Sequence, residues 1–381
     1  MKCIINGKVI LGNGIFDNLA VIFDEKIESI ENANTIDTSK YEVIDAKGNF
    51  VSPGLIDMHI HGYLGADVSD GDENGIKTMA DGILKNGVTS WCPTTMTVSK
   101  TEIENAFDAV RKVKNSKDFY GAKIVGVNSE GPFINPSKKG AQAEEHILKP
   151  DADFIIKHSD VVKLFTVAPE VDGALECIEK VKDKTNVLVS MGHTNATFEE
   201  ANVGIKKGIR HTTHLFNAMT ALSHRSPGVV GAALSSDEVS TELIADTFHV
   251  SSGLFSLIAK IKGDKLCLIT DCIRAGGMPD GDYTLGGQPV HKKGIQCLMD
   301  DGTIAGSVLK LNDAVYNLYE NAQIPLYKAV KCATINPAKA LGIDDKVGSL
   351  DVGKCADIVI ADEKFQIKTV IVDGQIRHKG E

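Results

Sequence analysis

Short apolar runs alternate with amphipathic stretches through the middle of this chain, in the rhythm of strand followed by helix. Eight strand candidates fall at 54–61, 87–95, 123–130, 162–169, 187–193, 211–217, 242–249 and 266–271. Between them apolar residues recur at helical spacing; over 101–114 they are Ile103, Phe107, Val110 and Val113. That helix carries its own start signal, Ser99 and Thr101 ahead of Glu102 and Glu104. Eight strand–helix units in series predict an α/β fold, a (β/α)8 TIM barrel over 54–345.

The two ends read differently. Residues 1–53 hold β-like segments at 3–10, 18–23, 26–30 and 41–44, punctuated by Asn6-Gly7, Gly12-Asn13-Gly14 and Lys47-Gly48. Residues 346–381 repeat the style, with segments at 356–361 and 367–372, then Asp373-Gly374 and a last short strand. Neither end has enough apolar surface to stand alone. The expectation is one small β-sandwich domain, built from both termini and flanking the barrel. A further β-like insertion is expected at 288–305, after strand eight, with Asp301-Gly302 as its turn.

Composition narrows the class. The chain has 381 residues, 43% hydrophobic and 24% charged, which is ordinary for a soluble enzyme. A formal charge of −10 with no basic face argues against nucleic acid as a partner. Apolar runs such as Thr369-Val370-Ile371-Val372 are too short to span a bilayer, so no membrane association is expected. The start, Met1-Lys2-Cys3-Ile4-Ile5, lacks a signal-peptide pattern. Eight cysteines without a C-x-x-C read as reduced thiols, so the expected location is cytoplasmic.

The chemistry lies at the strand ends. In Asp57-Met58-His59-Ile60-His61 the two histidines are two apart on a strand, so both project to one face and can reach one ion. Alone, such a pair is ambiguous with a satisfied polar pair. Further along, strand three closes on Glu130, five on His193, six leads to His214, seven to His249 and eight to Asp271. Ligand-type residues spread around a ring favour a closed barrel over an open sheet with a single switch point. His211, three residues before His214, faces elsewhere and reads as structural; His146, His158, His291 and His378 receive no role. The Gly276-Gly277 and Gly286-Gly287 pairs lack the strand–glycine–helix context of a phosphate loop and read as turns.

His59, His61, Glu130, His193, His214 and Asp271 are nitrogen and oxygen donors suited to zinc or, alternatively, iron or another divalent transition metal. Such an ion lowers the pKa of bound water from about 15.7 to about 7. Asp271 beside that water would act as general base and later return the proton. These parts suit hydrolysis at a carbonyl or carbonyl-like carbon.

The ordered set of H-x-H, histidines on strands five and six, and aspartate on strand eight resembles the amidohydrolase superfamily. So does the closing run Val347-Gly348-Ser349-Leu350-Asp351-Val352-Gly353-Lys354-Cys355-Ala356-Asp357. Within it the chain resembles the N-acetylglucosamine-6-phosphate deacetylase family over essentially its whole length. The blocks that carry this are Glu130-Gly131-Pro132-Phe133, Lys139-Gly140-Ala141, Gly192-His193-Thr194, Thr213-His214-Leu215-Phe216-Asn217-Ala218-Met219, Pro227-Gly228 and Asp246-Thr247-Phe248-His249.

The resemblance implies metal ligation by Glu130, His193 and His214, acid/base catalysis by Asp271 and contact of His249 with the substrate carbonyl. It implies phosphate contacts at Asn217, Ala218 and Arg225, and sugar contacts near Ala141, Gln142, Ala305 and Gly306. The retained His59 and His61 leave room for a second ion beside the first, with Glu130 as bridge. The implied substrate is a small sugar phosphate and the implied assembly a homodimer. The rivals are a cyclic-amide hydrolase or deaminase of the same superfamily, and a catalytically silent metal-binding scaffold.

Overall fold

All eight barrel strands are present in the computed structural model, which describes residues 1–116 and 118–380. Strands one to eight are Leu55–Ile60, Val88–Thr95, Val127–Phe133, Val162–Val167, Leu188–Met191, His211–Thr212, Ser240–Ile244 and Leu266–Ile269. Each pairs in parallel with the next. Burial on both faces explains their continuous apolar character, since helices cover the outside and side chains fill the inside. The helix after strand two, Lys100–Lys114, buries Ile103, Phe107, Val110 and Val113 and starts with a reciprocal cap between Ser99 and Glu102.

Closure is made between strands eight and one. Ile60 bridges Cys272 in parallel, and the Asp271 N–H donates to the His59 carbonyl at 2.9 Å. The seam therefore brings the first histidine of strand one beside the aspartate that follows strand eight, residues more than two hundred positions apart in the chain.

Several expected segments differ in extent; strand three, expected at 123–130 and closing on Glu130, runs Val127–Phe133 with Glu130 inside it. Strand six is only His211–Thr212, not 211–217, because the backbone leaves the sheet through positive φ at His214 (24°), Phe216 (77°) and Ala218 (51°). Strand seven stops at Ile244; Thr247 at φ 67° turns the chain before His249. The insertion begins earlier than 288, as an antiparallel sheet of Gly281–Leu285, Gln288–Lys293 and Gln296–Leu298. Its first hairpin turns at Gly286-Gly287, with φ of 54° and 80°, the left-handed pair a two-residue loop demands.

The termini do combine. One sheet runs Gln375–Lys379, Ile367–Val372, Ile358–Ala361, Phe50–Pro53, Lys2–Leu11, Gly14–Phe23 and Ile27–Asn32, with Glu42–Asp45 also on Lys2–Leu11. Ile4, Val21 and Phe23 share a core with Ile358, Ile360 and Ile371, so each end supplies the apolar surface the other lacks. The one interruption of the β pattern near the N-terminus is a short 3-10 turn, Thr38–Lys40. Among the described residues no helix is long and apolar enough to cross a membrane.

Candidate metal centre

Six ligand-type side chains, from the ends of strands one, five, six and eight and from strand three, meet at the barrel mouth. His214 Nε2 lies 2.8 Å and His193 Nε2 3.2 Å from Glu130 Oε1, and the two nitrogens are 3.1 Å apart. A second group adjoins the first: His59 Nε2 is 3.2 Å from His61 Nε2, and Asp271 Oδ1 is 3.2 Å from His61 Nε2 and 3.5 Å from His59 Nε2. Glu130 touches both groups, with Oε2 3.2 Å from His61 Nε2 and Oε1 3.4 Å from His59 Nε2. All six are buried.

Backbone geometry sets this convergence. His193, His214 and Asp271 sit at φ of 46°, 24° and 50°, in the left-handed region that a residue with a side chain rarely adopts. Such strain persists where surrounding bonds over-determine it, and it concentrates at functional sites.

The donor set fits a cation. His193 Nδ1 lies 2.9 Å from the Lys138 carbonyl, which can only accept, so Nδ1 carries the hydrogen and a neutral ring turns the Nε2 lone pair toward Glu130. His59 Nδ1 lies 2.9 Å from Glu242 Oε2, with the same consequence for its Nε2. With neutral rings, lone pairs would face carboxylate oxygens, an arrangement that repels itself unless positive charge, a bound cation or in its place a proton on the ring, lies between them. The titration tendencies agree. Burial alone would lower the His59 pKa, but Glu242, Glu130 and Asp271 outweigh it and raise it to about 9. His61 and His214 are likewise raised against burial by Glu130 and Asp271. Glu130 is held well below the usual carboxylate range, burial being outweighed by His59, His193 and His214. Asp271 is lowered by His59 and His61 against burial, which keeps it ionised at neutral pH.

A cleft of about 350 Å³ opens over both groups. His249 lines it, its Nδ1 held 2.6 Å from Asp246 Oδ2, while Asp246 Oδ1 accepts the N–H groups of Phe248 and His249. Ala141, Asn217, Ala218 and Gly306 also line it. Gln142 does too, but both ends of its amide are engaged, Nε2 donating to Glu130 Oε2 and Oε1 accepting the Thr97 N–H.

Two residues expected at the substrate do not line this cleft. Ala305 is fully buried behind the wall, its N–H paired with the Cys297 carbonyl, so the turn presents Gly306 alone. Arg225 is exposed and is not part of the cleft lining.

Glu242 escaped the sequence reading altogether. It stands in mid-strand, at Thr241-Glu242-Leu243-Ile244, and is fully buried. A carboxylate inside a doubly covered parallel strand is itself a signal, since buried charge needs partners. Its partners are His59, His211 and the His214 N–H. Asp57 is another such support: it accepts from the His59 and Thr270 N–H groups and the Thr270 hydroxyl, and burial pushes its pKa to about 7 against those bonds.

A closed parallel barrel with two histidine–carboxylate groups that could hold divalent metal at its C-terminal rim, flanked by a sheet from both termini, is the architecture of a class of hydrolases. The chain belongs to the amidohydrolase family, whose pattern matches residues 50–377. The N-acetylglucosamine-6-phosphate deacetylase of Bacillus subtilis (strain 168) is 37% identical over 362 residues, 93% of this chain and 91% of that protein. The N-acetylgalactosamine-6-phosphate deacetylase of Escherichia coli O157:H7 is 34% identical, covering 88% of this chain and 89% of its own. The crystal structure of N-acetylglucosamine-6-phosphate deacetylase from Pasteurella multocida superposes with a TM-score of 0.93 at 30% identity, over 100% of both chains.

Proposed function

We propose that this protein hydrolyses the acetamido group of N-acetyl-D-glucosamine 6-phosphate to D-glucosamine 6-phosphate and acetate, in amino-sugar catabolism or cell-wall sugar recycling. The observation that carries the reading is the position of Asp271, ionised and 3.2 Å from His61 Nε2, on the wall of the cleft that also exposes Glu130, His193, His214 and His249. A scaffold that merely bound metal has no use for a free base there.

Glu130, His193 and His214 would hold one divalent ion, for which we propose zinc, and His59, His61 and Asp271, with Glu130 shared, offer a place for a second. A bound ion supplies Lewis acidity toward the amide carbonyl and makes water acidic enough to attack near neutral pH. Asp271 accepts the proton of the attacking water and delivers it to the amine nitrogen as the C–N bond breaks. His249, its Nδ1 tied to Asp246, presents Nε2 to the cleft and orients the acetyl carbonyl. Ala141 and Gly306 would shape the sugar pocket, and the Asn217-Ala218 turn would offer the Ala218 N–H to the phosphate, the Asn217 N–H being donated to the His214 carbonyl. We further propose a cytoplasmic homodimer.

The test is acetate release from N-acetylglucosamine 6-phosphate, N-acetylgalactosamine 6-phosphate and unphosphorylated N-acetylglucosamine in parallel. The first should turn over best. A preference for the galactosamine isomer would move the assignment to that substrate, and no acetate from any of the three would reject it.

A further inference from the structure

Among the described residues, Glu242 is the only carboxylate whose bonds reach from strand seven to strand one across the barrel interior and also to the backbone that follows strand six. Its Oε2 accepts the Nδ1–H of His59 at 2.9 Å and the N–H of His214 at 2.8 Å, and its Oε1 lies 3.1 Å from His211 Nε2. Its main-chain carbonyl accepts the N–H of Leu215 at 3.0 Å. The side chain has no exposure to solvent.

These bonds act on both ligand groups at once. A carboxylate can only accept, so His59 must carry its hydrogen on Nδ1 and turn the Nε2 lone pair to the cleft. At His214 the bond is to the main chain, at a residue strained to φ 24°, and the Leu215 bond fixes the next peptide. His211, which the sequence presents as a mere structural neighbour, becomes the brace of this carboxylate. Its Nε2–H points at Glu242 and its Nδ1 lies 2.6 Å from the Ser240 hydroxyl, so the carboxylate is prevented from rotating away.

We propose that Glu242 is the positioning residue that keeps the two ligand groups in register, setting the tautomer of His59 and the backbone of His214 together, with His211 as its brace. The inference rests on the metal reading of the site. It predicts that one substitution outside both ligand groups weakens both, whereas loss of a single ligand weakens chiefly its own.

The experiment compares wild type, Glu242→Gln, Glu242→Leu, His211→Asn and His59→Ala, each stripped and reloaded with zinc. Zinc content is measured by elemental analysis and affinity by chelator competition, with circular dichroism to confirm the fold. Glu242→Leu should raise the zinc dissociation constants about 10- to 100-fold, the range for lost outer partners of ligands, at both groups. Glu242→Gln, which keeps one acceptor oxygen, should recover part of that loss, and His211→Asn should show a smaller loss in the same direction. His59→Ala should retain the ion of the Glu130–His193–His214 group at close to wild-type affinity. Folded Glu242 variants with wild-type zinc content and affinity would overturn the inference, even if their melting temperatures fell. Should Glu242→Leu fail to fold, Glu242→Gln and His211→Asn decide by the same readout. A wild type that binds no zinc or other divalent ion rejects the metal reading itself, and this inference with it.

Discussion

Gln142 and Glu130 are locked together: Gln142 Nε2 donates to Glu130 Oε2 at 2.6 Å while Gln142 Oε1 accepts the Thr97 N–H at 2.6 Å. The amide is thereby oriented from behind, and it fixes which face of the carboxylate turns to His193 and His214. Gln142→Leu keeps the volume but removes both bonds. It should lower metal affinity by about 10- to 100-fold with the fold intact. Zinc titration of the purified variant checks this, and a rise in KM with normal metal affinity would instead make Gln142 a direct sugar contact.

Asp271→Asn separates the base from the scaffold. The amide has the same shape but cannot take a proton from water, so kcat should fall about 10²-fold or more while the protein folds and retains metal. Steady-state kinetics beside metal analysis measure both. Near-normal kcat would remove Asp271 from proton transfer.

The two ligand groups should differ in consequence. His193→Ala or His214→Ala breaks the group centred on Glu130 Oε1 and should lower both metal content and activity. His59→Ala should spare one ion and part of the rate. Chelation of the wild type should abolish turnover, and zinc should restore it. If His59→Ala empties the protein of metal while His214→Ala does not, the order of the two groups is reversed.

Strand periodicity made much of the site legible. His59 and His61 share a face because they are two apart on a strand, and His193, His214 and Asp271 stand just past strand ends, with Glu130 inside strand three. The barrel and the shared terminal sheet followed from element order, which a linear sequence displays directly. What stayed hidden depends on closure. The approach of His59 to Asp271 is a product of the seam, and the grip of Glu242 on His59 crosses the barrel interior. The short strand six was missed for a local reason: His214, Phe216 and Ala218 take positive φ that no glycine advertises. Ala305 and Arg225 were named by resemblance rather than by any pattern, and neither stands in the cleft wall.

The small domain is tied to the barrel by charge. Lys123 Nζ lies 2.9 Å from Asp357 Oδ2 and 2.7 Å from Asp373 Oδ1. Asp357 is nearly fully buried, and burial raises its pKa against the pull of Lys123. Lys123→Met leaves that carboxylate without its cation. Because Lys123 and Asp373 are partly exposed, the loss should be about 1–3 kcal/mol, in the range for an unsatisfied buried polar group. The urea midpoint of unfolding should fall accordingly, and Lys123→Met/Asp357→Asn should recover part of it. No change in midpoint would mean that apolar packing alone holds the two parts together.

Arg225 poses the remaining question, because it is exposed and outside the cleft of its own chain. The proposed homodimer supplies a route: a loop carrying Arg225 can complete the phosphate site of a second copy. A charge-assisted contact to phosphate contributes about 1.5–3 kcal/mol, roughly 10- to 150-fold in binding. Arg225→Ala should therefore raise KM for the phosphorylated sugar much more than it changes kcat, provided the contact is equally strong in the ground and transition states. Hydrolysis of unphosphorylated N-acetylglucosamine, expected to be slow in wild type, should be almost unaffected. Dilution below the dimer dissociation constant should raise KM for the phosphorylated sugar in wild type and leave that of the variant unchanged. Equal damage to both substrates would assign Arg225 to the fold or the metal centre, leaving the Asn217-Ala218 turn, through the Ala218 N–H, as the phosphate's reader.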